Sequence, residues 1–252
     1  MHGGRPFRLE EAHVSKTLVV VVPDADVLAD TVASRLVAKI VDAQAERGSA
    51  SVVLTGGRIA AKVLRTVKDL PAARAIDWSH VDLWWGDERF LPAGDPDRNE
   101  TQARAALLDA LPLDPARVHP MPAANGVDAE SAAAQYAAEL GPAPRFDVLM
   151  LGVGEDGHVA SLFPEYPELN ATGLTAAVHN SPKPPPTRIT LTMPTIQTAD
   201  EVWLIAAGPD KTDAVGAALN GDKTRPAAHA TGQSRTYWLL DQAAAAKVAG
   251  RS

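Results

Sequence analysis

Short continuous apolar runs alternate along the chain with longer stretches in which apolar residues recur every three or four positions. The first pattern predicts buried strands, the second helices with one apolar face. Thr17 to Val22 is the first run, closed by Pro23; Leu28, Val32, Leu36 and Ile40 then keep helical spacing, widened by Val37 and Val41, until Gly48 follows Arg47. Further strands are predicted at Ser51–Leu54, Val81–Trp85, Val118–Met121, Phe146–Leu151, Ile189–Thr192, Glu201–Ala207 and Thr236–Leu240. Helices are predicted at Ile59–Val67, Asn99–Leu108, Asp128–Leu140 and Lys211–Asn220, with a start at Thr192-Met193-Pro194 and an alanine-rich helix closing the chain. Asn99 and Gln102 have the spacing of a capping box. Pro164 to Asn180 reads as irregular. Strand and helix in alternation predict an α/β protein. Without a fixed-period repeat or a low-complexity linker, the expectation is a single domain over residues 1–252.

Composition narrows the classes. Of 252 residues 46% are hydrophobic, enough for a substantial core. No apolar run reaches the length of a membrane span, and the polar start from Met1 to Lys16 lacks the apolar centre of a secretory signal. The absence of cysteine excludes disulfides, thiolate metal sites and thiol nucleophiles. A formal net charge of −7 argues against a nucleic-acid surface. The expectation is a cytoplasmic protein with no membrane or nucleic-acid partner, a monomer or weak homodimer.

Candidate chemistry gathers where strands end. The run at Val148–Leu151 breaks into Gly152-Val153-Gly154-Glu155-Asp156-Gly157-His158, placing an imidazole and acids at a strand end, where open α/β sheets bind ligands. Imidazole exchanges a proton near neutral pH; the competing reading is that His158 merely caps a helix. Thr55-Gly56-Gly57 joins a strand to a helix, a recipe for an anion site because backbone N–H groups open the helix. A plain strand-to-helix turn is the alternative. Asp87-Glu88-Arg89 follows two tryptophans, so Asp87 reads as a base or its orienting partner and Arg89 as an oxyanion or phosphate ligand. The other reading is an ion pair closing the loop, with Glu88 its first candidate. The proline-stiffened run Ser181 to Arg188 brings Lys183 and Arg188 to a strand start, and Lys211 opens a helix after Gly208. Asp87, Asp156 and His158 could also bind a divalent ion, although no metal is expected. His179 competes with His158 as base; His2, His13, His80, His119 and His229 read as surface or packing residues.

Thr55-Gly56-Gly57, Trp85-Gly86-Asp87-Glu88-Arg89, the run from Leu151 to Pro164, and Ser181 to Arg188 resemble, in order, the signatures of the 6-phosphogluconolactonase family. The resemblance, completed by Lys211, implies a Rossmann-like, mostly parallel open sheet with helices on both faces, shared with glucosamine-6-phosphate deaminases. It implies hydrolysis of 6-phosphoglucono-δ-lactone in the oxidative pentose phosphate pathway, without a cofactor; the partner is the sugar-phosphate lactone. Thr55, Gly56, Gly57, Arg188 and Lys211, with Lys183 ranked below them, would hold the phosphate. His158 would activate water, Asp156 or Asp87 would orient it, and Arg89 would meet the oxyanion or phosphate. Two departures bear on this. Arg58 stands where the family usually has serine, and Phe163 stands where similar deaminases have the glutamate that assists ring opening. The latter favours a lactonase over a deaminase; a third alternative is a non-catalytic sugar-phosphate sensor.

Overall fold

The computed structural model describes residues 15–249. His2, His13 and the polar stretch before Ser15 lie outside the described residues. The strands are β1 (Lys16–Val22), β2 (Ala50–Leu54), β3 (Val81–Trp85), β4 (Asp87–Arg89), β5 (Val148–Gly152), β6 (Thr175–Val178), β7 (Arg188–Leu191), β8 (Glu201–Ala206) and β9 (Arg235–Asp241). The helices are α1 (Ala25–Arg47), α2 (Arg58–Asp69), α3 (Asn99–Ala106), α4 (Ala129–Leu140), α5 (Met193–Ile196) and α6 (Thr212–Leu219).

Six strands pair in parallel in the order β1-β9-β8-β5-β2-β3, and helices flank this open sheet. Its central strands are buried along almost their whole length, which is why Val148–Leu151 and Val202–Ala206 read as continuous apolar runs without alternation. Fully burying each large aliphatic or aromatic side chain contributes about 1.5–3 kcal/mol. α1 is closed as its sequence predicts: Asp24 accepts from the Asp26 and Val27 N–H groups, and Gly48 ends the helix at φ 79°.

A second, antiparallel sheet, β4-β7-β6, was not evident in the sequence. The stretch expected to be irregular contains β6, and β4 lies in the segment expected to be a loop. These strands have three and four residues, too few to show a period of two, and β4 consists entirely of charged residues. The predicted strand Val118–Met121 reduces to one bridge between Val118 and Leu83. The expected C-terminal helix is instead a chain of turns after Asp241, whose carboxylate accepts from the Ala244 N–H. So short a segment does not recover the cost of helix nucleation.

The Asn99–Gln102 capping box does not form. Arg98 is the cap residue of α3 and makes no side-chain cap, while Gln102 donates to the Pro96 carbonyl. The first N–H groups of α3 are met by Glu88: Oε1 accepts from Asn99 N at 2.7 Å and Oε2 from Glu100 N at 2.9 Å. A buried carboxylate from a neighbouring strand satisfies the helix start better than a local side chain can, and this frees Asn99 to turn elsewhere.

Strand order fixes where a ligand can enter. From β2 the chain steps outward to β3, then returns to the other side of β2 to build β5, and continues outward through β8. β2 and β5 therefore flank the switch point, whose carboxyl end opens as a crevice. Thr55 and Gly152 meet there, with Gly152 N donating to Thr55 Oγ1 at 3.3 Å.

Candidate active site

A cleft of about 690 Å³ lies at these strand ends. Its walls include Thr55, Gly56 and Gly57 after β2, Asp87 and Arg89 on β4, and His158 beyond β5. Lys183 and Arg188 come from the second sheet and its loop, and Lys211 from the turn after β8. Of the residues expected to act on the substrate or hold its phosphate, Asp156 alone does not line the cleft; it is hydrogen-bonded to His158, which does. A larger groove of about 1310 Å³ lies at the opposite, amino-terminal ends of the strands, away from all of these residues.

The turn carrying His158 is built from its glycines. Gly154 N donates to the His158 carbonyl and Gly157 N to the Gly154 carbonyl. Gly157 sits at φ 84°, and a Cβ on Gly154 would fall 2.0 Å from the imidazole Nδ1. Asp156 Oδ1 lies 2.5 Å from His158 Nδ1 and also accepts from the His158 backbone N–H at 3.1 Å. Burial alone would raise the Asp156 carboxyl, but the hydrogen bond and charge of His158 outweigh it and hold the group well below the usual carboxylate range. An Nδ1 proton committed to a carboxylate leaves Nε2 as the proton acceptor.

Of Asp156 and Asp87, Asp156 is the one within hydrogen-bond distance of this imidazole. Asp87 makes different contacts: Oδ2 accepts from Ser161 Oγ at 2.7 Å, and Oδ1 from Asn99 Nδ2 at 3.2 Å. Ser161 is fully buried and its hydroxyl is committed to Asp87, which leaves it unavailable as a nucleophile. His179, the competing base, is half exposed, pairs with Glu130 and does not line the cleft. Among the described residues no group of three His, Cys, Asp or Glu side chains could hold a metal ion.

The remaining walls favour an anion. Gly57, φ 99°, is the cap residue before α2, which has no side-chain cap and no acidic residue in its first turn. Its opening N–H groups and the helix dipole are therefore uncompensated by the chain itself. Arg188, 6% exposed, donates to the carbonyls of Lys183, Pro184 and Pro185, and so pins the proline loop while lining the cleft. Burial lowers the Arg188 guanidinium, Asp87 acts in the opposite direction, and Arg89 adds to the lowering. Lys211 Nζ is 3.4 Å from Asp210 Oδ2, and Lys183 Nζ is 3.7 Å from Glu155 Oε1. Arg58, whose side chain is 95% exposed, stands at the rim with Asp210 4.0 Å away. Phe163 is fully buried, 4.5 Å from the His158 ring and 5.8 Å from the Arg188 guanidinium, and packs under both.

Two features escaped the sequence reading. Asn99, expected to cap a helix, lines the cleft. Arg225 supports the His158 turn from outside, donating to the Asp156 carbonyl at 2.9 Å and packing its stem against Gly157. Neither belongs to a motif, because each acts across a long span of chain.

Fold and cleft together define an α/β protein whose switch-point crevice sets a hydrogen-bonded aspartate–histidine pair beside an uncapped helix start and cationic side chains. Residues 23–238 match the family model described as glucosamine-6-phosphate isomerases/6-phosphogluconolactonase. A 6-phosphogluconolactonase of Streptomyces coelicolor is 58% identical over 245 residues, covering 91% of this chain and 94% of that protein. One from Mycobacterium tuberculosis is 47% identical, covering 91% and 98%. The 6-phosphogluconolactonase structure from Thermotoga maritima superposes with a TM-score of 0.81 at 26% identity, over 90% of this chain and all of that one. A monomeric glucosamine-6-phosphate deaminase shares the fold, with a TM-score of 0.76 at 20% identity over 92% of this chain and 99% of that one. The chain belongs to the glucosamine-6-phosphate isomerase/6-phosphogluconolactonase family.

Proposed function

We propose that the cleft hydrolyses 6-phosphoglucono-δ-lactone to 6-phosphogluconate, as a step of the oxidative pentose phosphate pathway. The observation that carries this reading is the Asp156–His158 pair, at 2.5 Å, on the same cleft as the uncapped start of α2 and the side chains of Arg89, Arg188 and Lys211. The names of the similar proteins support the substrate.

In this mechanism the 6-phosphate lies against Thr55, Gly56 and Gly57, with Arg188 and Lys211 supplying charge and Lys183 standing further out at the mouth. That anchorage fixes the ring, so the attack on its carbonyl becomes effectively intramolecular. His158 Nε2 takes a proton from a water molecule as its oxygen bonds to the lactone carbonyl carbon. Asp156 holds the imidazole in the required tautomer and stabilises the imidazolium that forms. Arg89 stabilises the developing oxyanion, and the ring C–O bond then breaks as His158 returns the proton to the leaving oxygen. Asp87 acts as counter-ion to the arginines and positions them.

The buried Phe163 favours this reading over deamination, since an apolar ring cannot relay a proton to open a sugar. The reading includes one domain working as a monomer or weak homodimer in the cytoplasm; no helix among the described residues is long and apolar enough to cross a membrane. A pH-stat assay with freshly generated lactone, run beside ammonia release from glucosamine 6-phosphate, tests it. Acid release above the spontaneous rate from the lactone alone is expected. Ammonia release would transfer the assignment to a deaminase, and binding without either turnover would leave a sensor.

A further inference from the structure

Asn99 is 4% exposed, lines the cleft, and is assigned no part in the mechanism above. Its backbone N–H is held by Glu88, and its amide Nδ2 donates to two oxygens of Asp87, the carbonyl at 2.9 Å and Oδ1 at 3.2 Å. Those two acceptors fix the amide's orientation, because the reversed amide would set oxygen against oxygen. Oδ1 therefore points away from Asp87. It lies over Gly56, where even a Cβ would come within 1.9 Å of it, and among the described residues it accepts no side-chain or backbone hydrogen bond. Gly56 is required here because any side chain would collide with this amide.

The chemistry of that oxygen is unlike that of its surroundings. The start of α2, Arg89, Arg188 and Lys211 all offer hydrogen-bond donors, which suit phosphate and carbonyl oxygens. A carboxamide oxygen is only an acceptor, so it repels phosphate oxygens and requires a donor from the ligand. We infer that Asn99 Oδ1 is a specificity-determining contact that accepts a hydrogen bond from a sugar hydroxyl next to the phosphate-bearing end. This deepens, and rests on, the lactone-hydrolysis reading. In 6-phosphoglucono-δ-lactone the phosphate is on C6 and the C5 oxygen is in the ester ring, so the nearest free hydroxyl is that on C4. Asn99 thereby distinguishes the gluco from the galacto configuration, which differ only at C4.

The test compares kcat/KM for 6-phosphoglucono-δ-lactone and its C4 epimer, 6-phosphogalactono-δ-lactone, in the wild-type protein and in Asn99→Ala. The wild type is expected to prefer the gluco lactone by about tenfold, the scale of one well-placed hydrogen bond, and Asn99→Ala to bring the ratio to within about threefold. Because each protein is its own control, a general loss of folded enzyme leaves the ratio readable. If the variant does not turn over, calorimetric binding of 6-phosphogluconate and 6-phosphogalactonate supplies the same ratio. A wild type indifferent to the epimer, or a variant that keeps the wild-type preference, overturns the assignment. Absence of hydrolysis of either lactone by the wild type would instead overturn the lactonase reading.

Discussion

Arg89 and Arg188 face each other directly across the antiparallel ladder of β4 and β7. Directly opposed side chains share one face of a sheet, and like charges in that relation repel. Asp87, two residues along β4, is on the same face and lines the same cleft. One carboxylate beside two guanidiniums leaves a net positive face, in keeping with the proposed roles of Arg188 toward phosphate and Arg89 toward the oxyanion. Arg188→Ala is expected to raise KM for the phosphorylated lactone by about 10- to 100-fold, the scale of a lost charge-assisted hydrogen bond. Unphosphorylated gluconolactone is expected to be affected far less. Because Arg188 also pins the proline loop, equal losses on both substrates would show that its work is structural.

His158→Ala is expected to lower kcat by about two to four orders of magnitude, the range for a lost general base. KM should move little, since the proposed phosphate contacts are on other residues. Near-normal turnover would move the base elsewhere. The check is steady-state kinetics corrected for the spontaneous opening of the ester.

Asp156→Asn removes the charge but keeps the shape, and kcat is expected to fall by roughly 10²–10⁴ because the amide can stabilise the wrong imidazole tautomer. The same variant has a stability signature. The folded-state Asp156 carboxyl is depressed, so its contribution is present above the ordinary carboxylate range and is lost as pH falls. Acid denaturation of the wild type should therefore begin at higher pH relative to its plateau than that of Asp156→Asn. Identical acid midpoints, each relative to its own neutral stability, would count against the pair.

How much of this was legible in the sequence depended on length and locality. The strands of the large sheet and the long helices α1 and α4 showed in their periodicity because each buries a continuous apolar set against the core. The turns at Thr55–Gly57 and Gly154–His158 showed because glycine, acid and imidazole stand side by side in the chain. Of the second sheet only β7 showed; β4 and β6 did not, since strands of three or four residues carry no readable period. Partnerships across the chain were equally invisible. Glu88, expected to close a loop by ion pairing, does lie 3.7 Å from Arg98, but its role at a helix start was not foreseen, and Asp87 proved to be held by Ser161, 74 positions away. Local spacing cannot encode which distant carboxylate or amide arrives at a helix start.

Glu88 carries the last prediction. Its side chain is fully buried, accepts from the backbone N–H groups of Arg89, Asn99 and Glu100, and lies 3.7 Å from the buried Arg98 guanidinium. Burial dominates and pushes the carboxyl up to about 7, against the opposing pull of those donors and of Arg98. Between its ordinary value of 4.5 and 7, the unfolded chain has released a proton that the folded chain retains, so stability falls as pH rises through that window. A gap of this size corresponds to about 3 kcal/mol at most. Glu88→Gln cannot titrate, and its amide turns a donor toward helix N–H groups, at a cost of about 1–3 kcal/mol. The penalty of Glu88→Gln, measured by urea unfolding, should therefore be larger at pH 5 than at pH 7.5, because only the wild type loses stability between them. A penalty that is constant, or that grows with pH, would mean that the N–H groups and Arg98 hold Glu88 charged throughout.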